Sequence, residues 1–406
     1  MGKKYLGYSL LLTSSLVMAE GGRFDNEFSW VNPADMGRTK KYEVSVGAIY
    51  PIVNVPVVGV QTFPSVPAVG AASTLSQNVN VSIRETYTLP SGKITYRIND
   101  KFLVGVVAGQ SFLNDLTYPT ASPLNYSIWR SKLNGYDIAP NLAYQHSEKL
   151  TFGFGLDILK TNAELNTNFG FPNSAVASLR SIPFTLKADG WQVGWHAGIA
   201  AKPWLGSYIS LSYFSDQTAN LRGPATVTRQ GVTGTGEATG SVVRPDMVRL
   251  GVFQALNEEF GLIGQISYVH WSSFQSIQAN LPSPVSALLG SNRLTVPLFY
   301  RNAWVTEFGA RKVIKKVTLI GLARYAQTPV NPIFRDISLP ENNAWSSTIR
   351  GDYAFSDNFS LFGRWSHVFQ FNAPISAPPN TPRRPTLVAN ARPYVDILAL
   401  GLTYKA

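Results

Sequence analysis

The sequence predicts an all-β protein, a transmembrane antiparallel β-barrel of about fourteen strands with a short N-terminal plug inside its lumen. Three observations carry that expectation. From Tyr42 to the C-terminus the chain is one continuous run of alternating segments punctuated by turn residues, with no linker, charge block or change of composition to divide it. Beyond the first nineteen residues no stretch offers the ~18 consecutive apolar residues of a membrane helix, although 45% of the residues are hydrophobic and only 15% are charged. A barrel fits that balance, because only alternate residues face lipid. The third observation is residues 20–41, EGGRFDNEFSWVNPADMGRTKK, which have the period of neither helix nor strand yet carry Phe24, Phe28 and Trp30. A solvated tail has no need of three aromatics, and the inside of a barrel is where such a peptide can go.

Residues 1–19 hold Lys3 and Lys4, a short apolar run and Val17-Met18-Ala19, the layout of a cleaved secretory signal peptide. The apolar run is too short for an anchor and is broken by Thr13-Ser14-Ser15. Domain boundaries follow: leader 1–19, plug 20–41, barrel 42–406. Cysteine is absent, which removes disulfide and thiolate chemistry, and closed sheet hydrogen bonding in lipid takes over as the source of stability. Net charge is +11, or +9 once Lys3 and Lys4 leave with the leader. In a barrel this balance points to anionic lipid headgroups or anionic solutes, with no nucleic-acid partner.

Strands are expected near 42–50, 90–97, 102–112, 133–145, 150–160, 187–202, 208–216, 247–256, 260–273, 303–313, 317–326, 345–355, 359–369 and 394–404. The alternation is clearest late in the chain, where Trp345, Ile349 and Tyr353 share one face and Ser346, Thr348, Arg350 and Asp352 the other. Connections alternate too. Short turns at 98–101, 147–149, 203–207, 257–259, 314–316 and 356–358 belong at the periplasmic end, and longer outer loops lie between them. Aromatics gather near strand ends, among them Tyr50, Trp204, Tyr208, Trp271, Trp304, Trp345, Trp365 and Tyr394, as two interfacial girdles require.

Strand parity turns Lys93, Arg97, Asp157, Asp216, Arg249, Glu307, Arg311, Arg324, Arg350, Asp352 and Arg364 toward the lumen. Most are expected to pair across it, as Arg350 with Asp352 or Arg311 with Glu307, which leaves one or two guanidinium groups to hold a carboxylate. Three loop segments, 51–72, 169–184 and 281–299, are greasy enough either to bind ligand or to pack as a lid. Gly234-Thr235-Gly236 with Gly240 lacks the strand–helix context of a phosphate loop and is expected at a flexible loop tip. The four histidines are scattered, and neither an HExxH nor a GxSxG pattern occurs, so no enzyme, cofactor or metal centre is predicted.

With strands and plug laid out, the chain resembles the FadL family of outer-membrane channels for hydrophobic compounds, which includes toluene-type transporters. Gly22–Ser29 (GRFDNEFS) is similar to the start of that family's hatch, and Asn32-Pro33-Ala34 to the motif that ends it before the first strand. The segments 186–198, 244–246, 267–274 and 309–329 are similar to family segments as well. The resemblance implies a monomeric fourteen-stranded barrel in the bacterial outer membrane that takes up fatty acids or hydrocarbons passively. Ligand would pass through an apolar pocket gated by the plug and leave sideways into the lipid beside an inward-kinked third strand, here at Gly109 and Gln110. It further implies a headgroup role for Arg301; Arg324, turned into the lumen by parity, is the second headgroup candidate. This chain departs from the family in its shorter hatch and in ending Tyr404-Lys405-Ala406. A general water-filled porin is the alternative that the short hatch leaves open.

Overall fold

The structure, a computed structural model, describes residues 32–377 and 385–406; the leader, Phe24, Phe28 and Trp30 lie outside the described residues. Fourteen strands form the wall: β1 (Tyr42–Phe63), β2 (Leu89–Arg97), β3 (Phe102–Thr117), β4 (Ile128–Ser147), β5 (Leu150–Asn168), β6 (Pro183–Ala201) and β7 (Ser207–Phe214). They continue as β8 (Met247–Ala255), β9 (Phe260–Val269), β10 (Ala303–Ile314), β11 (Val317–Ala326), β12 (Ala344–Ala354), β13 (Phe359–Gln370) and β14 (Tyr394–Lys405). Each pairs antiparallel with its neighbours in the chain, and β14 closes on β1 from Glu43↔Lys405 to Asn54↔Tyr394. Closure removes the sheet edge, so no row of backbone amides meets hydrocarbon unpaired. The C-terminus seals the seam: the amides of Lys41 and Tyr42 donate to the Ala406 carbonyl, and the Ala406 amide donates to Tyr42.

The period of two sorts side chains between two solvents. On β12, Trp345, Ile349 and Tyr353 face outward while Ser346, Thr348 and Arg350 are buried inside. The same rule gives an outward row of Phe152, Phe154 and Leu156 on β5 and Leu398, Leu400 and Leu402 on β14. Cross-strand aromatic pairs mark both rims, Phe359–Tyr404 and Phe102–Tyr144 at the short-turn end and Tyr268–Trp304 and Tyr325–Trp345 at the other.

The outer end differs from expectation. Residues 51–63 of segment 51–72 are no loop: the wall strand runs on through Phe63, and its outer half pairs with Leu75–Thr86 on one side and Thr386–Ala391 on the other. β-Branched residues at Val53, Val55, Val57 and Val60 explain why it stays extended. Gly234–Gly240 lies within the second strand of an outer hairpin, Gln217–Arg229 and Val232–Arg244, so the turn is at Gln230-Gly231 instead. Asp216, expected in the lumen, is exposed just past the end of β7.

Two apolar cores fill the outer end on opposite sides of the ring. One gathers Phe214, Met247, Val269, Trp271, Phe274 and Tyr300 above β7–β10. The other gathers Val55, Val57, Leu116, Tyr118, Ile375 and Leu387 above β1 and β3. Residues 327–343 run between them as a strap. Val330 and Leu339 pack in the first core and Ile337 in the second, where the Tyr118 hydroxyl donates to its carbonyl at 2.9 Å. The greasy segments 169–184 and 281–299 pack together through Leu179, Ile182, Phe184, Leu281 and Val285, which is the lid arrangement.

Candidate functional site

The chain enters the barrel at Asn32. Pro33–Arg38 forms a 3₁₀ helix at the short-turn end of the lumen, with Asn32 as N-cap accepting from the Ala34 amide at 2.9 Å. Proline at the first helical position costs no hydrogen bond there. The Asn32 side-chain amide is wholly buried and donates to the carbonyls of Ile199 on β6 and Leu211 on β7, each at 3.0 Å. Glycine makes the approach possible. A Cβ on Gly198 would stand 2.1 Å from Asn32 Oδ1, and one on Gly153 would stand 2.3 Å from the Ala34 nitrogen. The far end is clamped by Arg97, whose Nε and Nη2 donate to the carbonyls of Thr39 and Gly37 at 2.9 and 3.1 Å. Tyr208 donates to Asp35, and the Arg38 guanidinium stacks 3.6 Å above the Tyr208 ring. Tyr208 therefore faces the lumen helix, and Trp271 the outer core, where sequence spacing had placed both in the girdles.

A second feature is a break in the wall. β2 and β3 pair from Arg97↔Leu103 to Ser91↔Gly109 and no further. One residue later β3 bulges against β4, with the register shifting between Gln110 and Phe112. Four consecutive residues, Gln110–Leu113, are buried, whereas a strand in the wall alternates. The segment has therefore been drawn into the lumen. Leu113 joins one buried cluster with Ile49, Phe362, Val395 and Ile397 on the inner faces of β1, β13 and β14, and Phe112 packs on Leu159 across Gly135, whose hydrogen leaves the room. Gln110 Nε2 donates to the Phe112 carbonyl at 3.3 Å within the bulge.

The inner wall is polar on β8–β13. Arg249, Glu307, Arg311, Arg324, Arg350 and Arg364 are buried, with Arg324 opposite Glu307 in the ladder and Arg350 binding Asp352 through Nε at 2.9 Å. Arg301 is not among them. It is exposed at the outer rim, two residues before β10 begins, donating to Asn331 at 3.4 Å. The structure does not bring Arg301 and Arg324 together. His196, buried on β6, bonds Asn141 at 2.6 Å and lies 3.1 Å from Asp157, tying β4, β5 and β6 across the inner face.

A lipid-facing apolar band, a closed fourteen-strand ring and a chain segment held in the lumen describe an outer-membrane barrel. Residues 16–405 match the family model described as outer membrane protein transport protein (OMPP1/FadL/TodX). The chain belongs to that family. Among curated relatives, the long-chain fatty acid transport protein of Escherichia coli O6:H1 is 22% identical, covering 81% of this chain and 78% of its own. A Pseudomonas aeruginosa FadL homologue of known structure superposes with a TM-score of 0.80 at 17% identity, over 92% of each chain. The Pseudomonas putida toluene transporter TodX does so with 0.66 at 17% identity, over 96% and 98%. This FadL/TodX-family barrel resides in the bacterial outer membrane, and its family transports hydrophobic compounds and is not enzymatic.

Sequence reasoning missed several residues that shape this FadL/TodX-type lumen. Phe112, Leu113 and Leu116 were readable in principle, because QSFLNDL places two large apolar residues side by side and breaks the period of two. Arg335 and Glu341 in the strap left no such mark, since charged residues in an outer loop ordinarily face water.

Proposed function

We propose that this chain takes up long-chain fatty acids or hydrocarbons passively, through an apolar passage gated by residues 20–41 and opening sideways beside β3. The observation that carries this reading is the break at Gln110–Leu113. A closed barrel has no lateral exit, and here the ladder between β2 and β3 ends at Gly109 while the next four residues turn inward. The apolar residues above and beside the break, Leu113, Leu116, Ile49 and Phe362, give a hydrophobic ligand a surface that water does not share. In this reading Asn32-Pro33-Ala34 anchors the gate to β6 and β7, Phe24, Phe28 and Trp30 contribute to the pocket, and Gly109 and Gln110 form the hinge of the exit. Arg301 meets the ligand first at the rim, and Arg324 lies deeper on the same side. The chain works as a monomer, and residues 1–19 are removed on export.

Deleting Ser111 tests the exit, because it removes the extra residue and lets β3 rejoin the ladder. Uptake of a fluorescent fatty acid by intact cells should fall to background while the barrel stays folded and surface-exposed. Unchanged uptake sinks the lateral route. The rival porin reading draws on the charged inner wall, and steady single-channel conductance of the intact protein would establish it.

A further inference from the structure

The outward face of β4, β5 and β6 changes character within a few residues. Ile138, Ile158 and Val193 lie in one row across the three strands, and Tyr136, Lys160 and Trp191 form the next row toward the outer end. Val193, Trp191 and Tyr136 are 64%, 60% and 51% exposed, so this second row stands at the lipid–water boundary, where indole and phenol rings collect. Between those rings Lys160 holds its Nζ 5.8 Å from the centroid of Trp191. Beyond that row the strands continue to Ile128, Asn168 and Pro183, about 26 Å further at ~3.3 Å per residue. A sheet this tall stands well clear of hydrocarbon, and its first outward side chains above the boundary are charged.

Asp189 is set among three cations there. Lys160 Nζ is 3.3 Å away, Arg222 of the outer hairpin is its cross-strand neighbour at about 5 Å between Cα atoms, and Lys187 lies two residues up the same face. Lys187, Asp189 and Arg222 are exposed. Lys187 reaches only Glu164, at 3.8 Å, and Glu164 is shared with Arg130 at 3.6 Å. Arg222 makes no ion pair among the described residues. The cluster is therefore short of negative charge, and its exposed pairs are weak enough to exchange partners.

The outer leaflet of a bacterial outer membrane is built from glycolipids that carry phosphate where sugar meets acyl chain. We propose that Lys160, Lys187 and Arg222 bind a phosphate of such a glycolipid, with its sugar against Trp191 and Tyr136 and its acyl chains along Ile138, Ile158 and Val193. The three side chains donate charge-assisted hydrogen bonds to the phosphate oxygens, and Asp189 is the internal competitor that holds Lys160 when no lipid is bound. The site rests on the outer-membrane location alone and holds whatever crosses the lumen. Its place is specific: Tyr136 pairs with Gln110 in the ladder between β3 and β4, so the bound lipid lies beside the break in the wall.

The test is binding of fluorescent diphosphoryl lipid A, and of the same lipid stripped of its phosphates, to the full-length refolded barrel in neutral-detergent micelles containing EDTA. The native protein should prefer the diphosphoryl lipid by about ten- to a hundredfold, the span expected of a few cations acting together at a lipid surface. Lys160→Gln, Lys187→Gln and Arg222→Gln combined should erase that preference and leave the dephosphorylated lipid bound as before, which also reports an intact fold. Asp189→Asn should strengthen the preference by freeing Lys160. Lys101→Gln, Lys315→Gln and Lys316→Gln combined, an equal change of charge at the short-turn end, should leave it at the native level. Equal binding of both lipids by the native protein overturns the assignment, as does a preference that survives the first triple variant or is lost equally in the second. Displacement of the lipid by millimolar inorganic phosphate also overturns it, because the patch would then hold a free ion with no call on the lipid.

Discussion

The anchoring of the lumen helix rests on one side chain, and its removal has a calculable cost. Asn32→Ala deletes three hydrogen bonds, two partly buried ones to Ile199 O and Leu211 O and a buried one from the Ala34 amide. At about 1 kcal/mol each, the helix loses about 3 kcal/mol of docking energy. Every ~1.4 kcal/mol is a factor of ten, so the undocked population rises about a hundredfold. Gly198→Ala attacks the same contact from the wall, since its Cβ would stand 2.1 Å from Asn32 Oδ1 and one of the two must move. Planar-bilayer recording reads the result: both variants should show frequent openings where the native protein is nearly silent, and protease added on the short-turn side should cut within Pro33–Arg38. Native-like silence and protease resistance in both variants would refute the claim that this contact holds the segment in place.

Two further predictions concern stability. Ile349 is 60% exposed and faces the middle of the lipid band, so Ile349→Arg should cost about 2–4 kcal/mol in refolding into bilayers. A loss below ~1 kcal/mol would mean that β12 is turned over. The Glu341 carboxyl is raised from its ordinary 4.5 to about 8, so the unfolded chain releases its proton at a lower pH than the folded one does. Holding that proton destabilises the fold increasingly from pH 4.5 to 8 and costs nothing below pH 4.5. Glu341→Gln should therefore raise urea resistance at pH 8, by several kcal/mol at most, and leave it unchanged at pH 4; an equal gain at both pH values would argue against a neutral buried acid.

The wall was legible because each strand meets two solvents. All fourteen strands predicted from alternation are present, and the six short turns fall where turn residues clustered, because lipid outside and polar contacts inside demand opposite side chains at successive positions. Parity also turned Arg249, Arg311, Arg324, Arg350 and Arg364 correctly inward. It also gave Arg350 its partner Asp352, two residues along the same face, but partners across the lumen are set by the ring's closure and by whatever fills it. Arg301 and Arg324 illustrate the limit. Both are arginines at the outer end of β10 and β11, yet one is exposed at the rim before β10 begins and the other is buried opposite Glu307, a difference that residue type does not encode.

The same reasoning explains why alternation fails at informative places. Tyr208 and Trp271 have the spacing of girdle aromatics but are buried, because the lumen helix and the outer core give their rings something to cover. Segment 51–63 reads as a greasy loop when strands are assumed to end at the membrane surface. It is a strand because Leu75–Thr86 and Thr386–Ala391 continue the sheet beyond the lipid and supply its hydrogen bonds. At Gln110–Leu113 the pattern fails in the opposite sense, inside the membrane, where a segment buried on both faces has parted from β2 while staying paired with β4. Loss of the period of two above the lipid band thus signals packing between loops. The same loss within the band opens the ladder, and hydrocarbon tolerates that only where an apolar partner covers the gap. The buried cluster that Leu113 shares with Phe362 and Val395 is such a cover.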